Sequence, residues 1–427
     1  MNQHQANDVS LALLNTTVFA TTEALTFSQP ADVALSNFFR THKSGARDRA
    51  FIAEAVYAVI RRKRSLEHLI TASGTKISPR FLLIAALTQV MGFGARQLDA
   101  ALRPAERQWL SDLRALSITD GTQAEQLDFP DWLYERLAVR MPEAELKALA
   151  KALNSPAQLD LRVNILKAER SAVLAQFAEQ NIPATACTYS PFGIRIDGKP
   201  ALQKHALFLD GSVEVQDEGS QLLCHLMQPR RGEMVVDFCA GAGGKTLALG
   251  ALMRSSGRLY AFDTAEHRLA KLKPRAARAG LSNVHSACIA NESDLRVRRL
   301  SGKVDRVLVD APCSGLGTLR RNPDLKWRQT PESVTELCIK QRDILTAAAH
   351  LLKVGGRLVY ATCSILDEEN SAIVDAFLSA NPNFVRLSAR KILQAQHINL
   401  ECTDDLRLLP QRHGTDGFYA AVLQRQS

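Results

Sequence analysis

Residues 1–30 carry apolar positions that follow no sustained period, which reads as a loose polar arm. From Ala50 to Ile60 the apolar residues at 52, 55, 56, 59 and 60 recur on one face, so a helix is predicted that ends in Arg61-Arg62-Lys63-Arg64. Such a run is usually a solvated helix end, which also suits the dipole, and binding of RNA phosphates is the sharper, less common reading. Helical patterning continues to about Leu116, and the polar stretch Ser117–Gln126 with its Gly121 reads as a linker. Past Phe129 the character changes. Strands are predicted over Leu159–Leu166 and Gly193–Ile196, with a helix over Ala168–Gln180 between them. Arg162 and Asn164 alternate with Leu161, Val163 and Ile165, which turns them away from the buried side.

From Gly211 the pattern alternates between short apolar runs and helical stretches. Strands are predicted at Met234–Phe238, Arg258–Asp263, Asn283–Ala290, Val304–Asp310 and Arg357–Thr362, with Phe418–Leu423 as a closing edge strand. That alternation argues for an α/β fold with a parallel sheet covered by helices. Three segments result: a helical region over 1–125, a small α+β module over 126–210, and an α/β domain over 211–427.

Composition adds a direction to this outline. The 427 residues carry a formal net charge of +9, which favours polyanionic partners. The eight cysteines contain no Cys-x-x-Cys pair, which argues against a zinc ribbon and suits a reducing cytoplasm; no metal site is expected. No stretch is apolar enough for a membrane span, and Met1–Ser10 lacks the features of a signal peptide.

The first strand of the α/β domain runs into Asp237-Phe238-Cys239-Ala240-Gly241-Ala242-Gly243-Gly244-Lys245-Thr246. Glycines there let the backbone bend tightly around a ligand, and Asp263 at the end of the next strand is placed to accept hydrogen bonds from ribose hydroxyls. Two phosphate-binding patterns fail on spacing. The dinucleotide pattern needs glycine where Thr246 stands, and the P-loop pattern needs glycine where Cys239 stands. An adenosine-bearing cofactor such as S-adenosylmethionine fits better than a phosphate-rich one.

Two further strands end at cysteines, in Asp310-Ala311-Pro312-Cys313-Ser314-Gly315 and Ala361-Thr362-Cys363-Ser364. Ligands of open α/β sheets bind at that edge, so both thiols reach the cofactor crevice. Carbon 5 of cytosine is a poor nucleophile until a thiolate adds to carbon 6; the resulting enamine accepts a methyl group from a sulfonium. The other six cysteines read as small buried hydrophobes.

With these motifs in place, the chain resembles the Nop/Sun family of RNA cytosine-5 methyltransferases, and within it the bacterial Fmu-like ribosomal RNA enzymes. Supporting stretches are Val215–Gln221, the Cys239–Lys245 loop, Asp310–Gly315, Arg320–Asp324, Lys326-Trp327, Thr362–Ser364 and His413–Phe418. The resemblance implies a Rossmann-like S-adenosylmethionine-dependent methyltransferase domain, preceded by a shortened NusB-like helical region and a small RNA-binding subdomain. It implies Cys363 as the nucleophile and Cys313 as the thiol that assists product release. It implies cofactor contacts from Cys239, Ala240, Gly241, Ala242, Gly243, Gly244, Lys245, Asp263 and Asp310, with Asp310 also near the target base and taking part in proton transfer. Asn291 is the nearest match to the residue that meets the adenine edge, with Asp294 close by. The implied partner is RNA, ribosomal with transfer RNA as the alternative, for a monomer with no membrane role. Departures are Ala242 where the family carries proline, Asn291 where it carries an acid, and Asp367 where proline is frequent. A non-catalytic RNA-binding factor would have no use for both thiols and the glycine loop. A DNA cytosine methyltransferase would use Cys313 as nucleophile and leave Cys363 without a purpose.

Overall fold

The computed structural model describes residues 8–113, 115–198 and 200–427. The chain divides into two compact units, one reaching to Pro156 together with Thr318–Pro331, the other comprising Ala157–Gly317 and Glu332–Ser427.

The first unit is helical. The expected loose arm begins in residues 1–7, which lie outside the described residues, but its remainder is ordered: Leu11–Ala24 forms a helix capped by Ser10. Its buried face is made of Leu14, Thr17, Ala20, Thr21 and Ala24. Thr17 and Thr21 turn their hydroxyls back onto the carbonyls of Leu13 and Thr17, each at 2.7 Å, so polar letters occupy core positions and hide the period. The helix predicted around Ala50–Ile60 spans Ala46–Arg61 and buries Ile52, Ala55, Val56, Val59 and Ile60 as read. The segment Ser117–Gln126 is not a plain linker. Thr122 and Glu125 form a reciprocal capping box that starts the helix Gln123–Gln126. Helices Asp131–Ala138 and Glu143–Leu153 follow and belong to this unit.

The four consecutive cations have partners inside the unit. Arg61 donates to the carbonyl of Arg320 at 3.1 Å and lies over the Tyr57 ring. Arg62 pairs with buried Asp128, whose other oxygen accepts the Ser65 N–H at 2.9 Å. Lys63 pairs with Glu67, and Arg64 with Asp131. From the far part of the chain, Lys326 brings its ammonium to the Arg61 carbonyl at 2.9 Å and Asn154 at 2.7 Å, while Trp327 donates to the Ile60 carbonyl.

The second unit holds two sheets. In the smaller, β1 (Leu159–Val163), β2 (Ala184–Ala186), β3 (Gly193–Ile196) and β4 (Val213–Val215) pair antiparallel in the order β2-β3-β1-β4. Arg162 and Asn164 do turn away from this sheet's own core, but they do not face solvent. Both are buried. Arg162 donates to the Gly244 carbonyl at 2.8 Å, and Asn164 donates to the carbonyls of Gly211 and Ala279 at 3.0 and 2.9 Å. The module's second face is thus cemented to the larger domain by polar contacts that an alternation rule cannot distinguish from exposure.

The larger sheet contains β5 (Met234–Asp237), β6 (Arg258–Asp263), β7 (Val284–Cys288), β8 (Val304–Asp310), β9 (Leu352–Thr362), β10 (Phe384–Leu387), β11 (Leu406–Leu408) and β12 (Phe418–Arg425). Its order is β10-β12-β9-β8-β5-β6-β7, with β11 also on β12. The strands β9-β8-β5-β6-β7 are parallel, and β12 runs antiparallel to its neighbours, so the sheet is mixed rather than parallel throughout. Nor is β12 an edge: β9 pairs with one side, β10 and β11 with the other. Strands of four and three residues leave too little pattern to find in advance. The chain leaves β5 toward β6 on one side and places β8 on the other. That reversal opens the crevice in which ligands of doubly wound sheets bind.

Asn164→Ala should lower the unfolding free energy by about 1–3 kcal/mol, because two buried carbonyls lose their donor. Urea denaturation checks this, and an unchanged midpoint would mean that water replaces the amide.

Candidate active site

The turn after β5 is built by two left-handed glycines. Gly241 has φ +55° and Gly243 φ +90°. A Cβ on Gly243 would fall 2.2 Å from the Leu272 side chain and hold a left-handed conformation that strains other residues, whereas at Gly241 it would meet nothing within 4 Å. Asp263 holds this turn. One of its oxygens accepts the Gly241 N–H at 2.8 Å; the other accepts the Ala265 N–H at 2.7 Å and the Arg268 guanidinium at 2.9 Å. Ala242, which replaces the family's proline, is fixed instead by Arg275, which donates to its carbonyl at 2.6 Å.

Lys245, at the start of the helix Gly244–Leu252, reaches Asp310 at the end of β8 at 2.7 Å. Burial disfavours the ammonium, but the Asp310 carboxylate outweighs it and raises the lysine above its ordinary range. Asp237 accepts the Thr246 hydroxyl at 2.7 Å, and its second oxygen has no partner. Burial pushes its carboxyl up to about 7, with the Thr246 bond opposing the shift and Asp310 adding to it.

The parallel register sets Asp310 opposite Ala361, so the loops that follow β8 and β9 lie side by side. The Cys313 and Cys363 sulfurs are 3.3 Å apart. The Cys363 sulfur as a hydrogen-bond partner, followed by burial, pushes the Cys313 thiol well above the ordinary thiol range. Burial and the charges of Asp310 and Asp237 do the same to Cys239. The Cys363 carbonyl accepts the Gly317 N–H at 2.8 Å, and the Gly317 carbonyl accepts the Gly417 N–H at 2.8 Å. A Cβ on Gly317 would strike the Gly417 carbonyl at 2.2 Å. This backbone stack is what the His413–Phe418 motif contributes.

These groups surround a cleft of about 380 Å³ lined by Cys239–Ala242, Asp263, Asp310, Cys313 and Cys363. Backbone of a glycine turn, two carboxylates and a wall at the switch point suit an adenosyl amino acid. Gly243, Gly244 and Lys245 support the turn from behind and are not part of the lining. Asn291 is exposed, and its side-chain oxygen is taken by the Ser293 N–H, while Asp294 caps the helix Leu295–Arg298. The cleft wall is formed by Glu292 instead. Arg268 and Lys340 also line it. They stand on helical stretches away from any motif, and nothing in the sequence marked them.

A glycine turn at the switch point of a mostly parallel sheet, with an acid at the end of the next strand, defines a Rossmann-like methyltransferase that uses S-adenosylmethionine. The family described as "16S rRNA methyltransferase RsmB/F" matches residues 224–424, and the ferredoxin-like domain of the same enzymes matches residues 129–203. A "Probable ribosomal RNA small subunit methyltransferase B" of Synechocystis sp. is 34% identical, covering 92% of this chain and 95% of its own. The ribosomal RNA small subunit methyltransferase B of Pseudomonas putida is 34% identical over 76% of this chain and 72% of its own. Among solved structures, PH0851 superposes with a TM-score of 0.80 at 24% identity, covering 98% of this chain and 99% of its own. A methyltransferase homolog from Pyrococcus horikoshii does so with a TM-score of 0.61 at 25% identity, over 73% of this chain and all of its own. The chain belongs to the RsmB/F family of RNA methyltransferases. Among the described residues no helix is long and apolar enough to cross a membrane.

Glu292→Ala should weaken S-adenosylmethionine binding on the order of tenfold, as expected for loss of a charged acceptor, while Asn291→Ala should leave it unchanged. Calorimetric titration separates the two, and the reverse ranking would place the adenosyl group elsewhere. Asp237 gives a second expectation. Its carboxyl is raised from 3.8 to about 7, so folding holds a proton that the unfolded chain releases, and the associated stability is lost as pH rises between those values. Asp237→Asn should therefore raise Tm near neutral pH, and the gain should vanish as pH falls toward about 4. A gain independent of pH would mean that the carboxyl is ionised throughout.

Proposed function

We propose that this enzyme methylates carbon 5 of a cytosine in small-subunit ribosomal RNA through a covalent bond between Cys363 and the base, resolved with help from Cys313. The observation that carries the reading is the contact of the two sulfurs, 3.3 Å apart on the wall of the cofactor cleft. The names of the similar ribosomal RNA small subunit methyltransferases support the substrate class; transfer RNA is the competing substrate.

S-adenosylmethionine held by the glycine turn and Asp263 would supply an electrophilic methyl group. The neighbouring sulfur and burial raise the Cys313 thiol, and we assign to Cys363 the attack on carbon 6 as a thiolate. Lys245 keeps its positive charge beside that sulfur. Addition turns carbon 5 into an enamine carbon that takes the methyl group. Loss of the carbon-5 proton to a base then restores the ring double bond and expels the Cys363 sulfur. Cys313 lies in contact with the departing sulfur and assists this last step. Asp310, fixed by Lys245 on the same wall, is the group we assign to the target base and its protons. Asp263 keeps the turn in shape and retains acceptor capacity for the ribose hydroxyls.

Cys363→Ala should lower methyl transfer on the order of a thousandfold or more while cofactor affinity stays close to that of the parent. Cys313→Ala should attack and methylate once, then stall. With RNA and cofactor it should give a slow-migrating band on a denaturing protein gel that RNase removes and that the double variant lacks. A band from Cys363→Ala instead would reverse the roles of the thiols, and no band from either would leave Cys313 outside the reaction.

A further inference from the structure

Glu369 belongs to neither cysteine motif, yet its side chain is the point at which both loops meet. It sits in the turn Asp367–Glu369 and is fully buried. Among the described residues no lysine, arginine or histidine pairs with it. A carboxylate in such a place is costly unless donors surround it. Its donors come from a narrow set of residues. One oxygen accepts the Ser314 N–H at 2.8 Å and the Gln341 amide at 3.0 Å; the other accepts the hydroxyl of Ser314 at 2.5 Å and that of Ser364. The same Gln341 amide donates to the Pro312 carbonyl at 2.9 Å. Ser314, which follows Cys313, and Ser364, which follows Cys363, are therefore gathered on one carboxylate, and Gln341 ties Pro312 to it. The backbone carbonyl of Glu369 is itself pinned by the Tyr360 hydroxyl at 2.7 Å, which fixes the brace to β9.

We propose that Glu369 is the positioning residue that keeps the Cys313 and Cys363 sulfurs in contact. A group with acceptors on two oxygens is suited to collect donors from two separate chain segments; an amide keeps one of those oxygens, and an apolar residue keeps neither. Glu369 need not touch the RNA or the cofactor to matter, because a shift of about 1 Å in a reacting group can cost on the order of a hundredfold in rate. The inference rests on the reading of Cys363 and Cys313 as the reacting pair.

The test compares Glu369→Ala and Glu369→Gln with the parent, using phenylarsine oxide as a probe. This reagent condenses with two neighbouring thiols, forms two arsenic–sulfur bonds and releases water. The parent should capture it, and Cys313→Ala and Cys363→Ala should not. Glu369→Ala should lose capture and lower kcat on the order of a hundredfold, with S-adenosylmethionine affinity within about twofold of the parent. Glu369→Gln keeps one oxygen in place and should restore capture. Retained capture and kcat in Glu369→Ala would overturn the proposal, and so would a Gln variant no better than Ala, since the effect would then come from charge alone. If Glu369→Ala fails to bind cofactor, Ser314→Ala and Ser364→Ala each remove one arm. A lowered kcat at unchanged KM in these variants supports the brace, and an unchanged kcat refutes it. A parent enzyme that captures the arsenical but forms no 5-methylcytosine would defeat the cytosine reading while leaving the brace to be decided by capture.

Discussion

The parallel pairing of β8 with β9 is the constraint on which the site depends. Because Val309 and Asp310 stand opposite Tyr360 and Ala361, the two strands end together, and the loops that follow begin side by side. A slip of one residue would turn every side chain of a strand to the other face and separate the thiols. The register is fixed by the burial of Val307, Leu308, Val359 and Tyr360 and by β12, which clamps the far side of β9 up to Thr362. The Gly317–Gly417 contact then carries that clamp across to the Cys363 loop. The contact of the two sulfurs is in this sense a product of strand registration.

Charge is arranged around that frame with little waste. Lys245 and Asp310 neutralise one another across the crevice between β5 and β8. Asp263 is satisfied by two backbone N–H groups and Arg268, which makes it a structural part of the glycine turn as well as a candidate for the ribose. Among the described residues no cation forms an ion pair with the buried carboxylates of Asp237 or Glu369, and the two differ in how they are accommodated. Asp237 leaves an oxygen bare and resists ionisation, whereas Glu369 meets four donors.

Much of this was legible in the letters. β3, β6 and β8 begin and end where the apolar runs do, and the glycine turn and both cysteines fall at strand ends as read. What escaped had a physical reason in each case. Thr17 and Thr21 are core residues because their hydroxyls bond their own helix. Thr122 and Glu125 spell a capping box, a signal that a polar stretch with a glycine masks. Arg162 and Asn164 look like surface residues because alternation reports only which way a side chain points, and another domain can lie on that side. Asn291 and Glu292 are neighbours in sequence, and loop geometry alone decides which of them faces the cleft.

The excursion of Thr318–Pro331 into the helical unit bears on how such a protein can change over evolutionary time. The helical unit is not one contiguous stretch that recombination can exchange as a cassette. Its packing includes the side chain of Trp327, and the buried ammonium of Lys326, lowered to about 7 by burial, relies on the Arg61 carbonyl and Asn154. The same segment begins immediately after Gly317, which holds the Cys363 carbonyl. A lineage that lost the first helices would strand an apolar tryptophan and a desolvated lysine in the segment that they pack against. Replacing those helices with a foreign domain would require matching substitutions inside the catalytic half of the gene. The discontinuity therefore ties the ancestry of the two halves together.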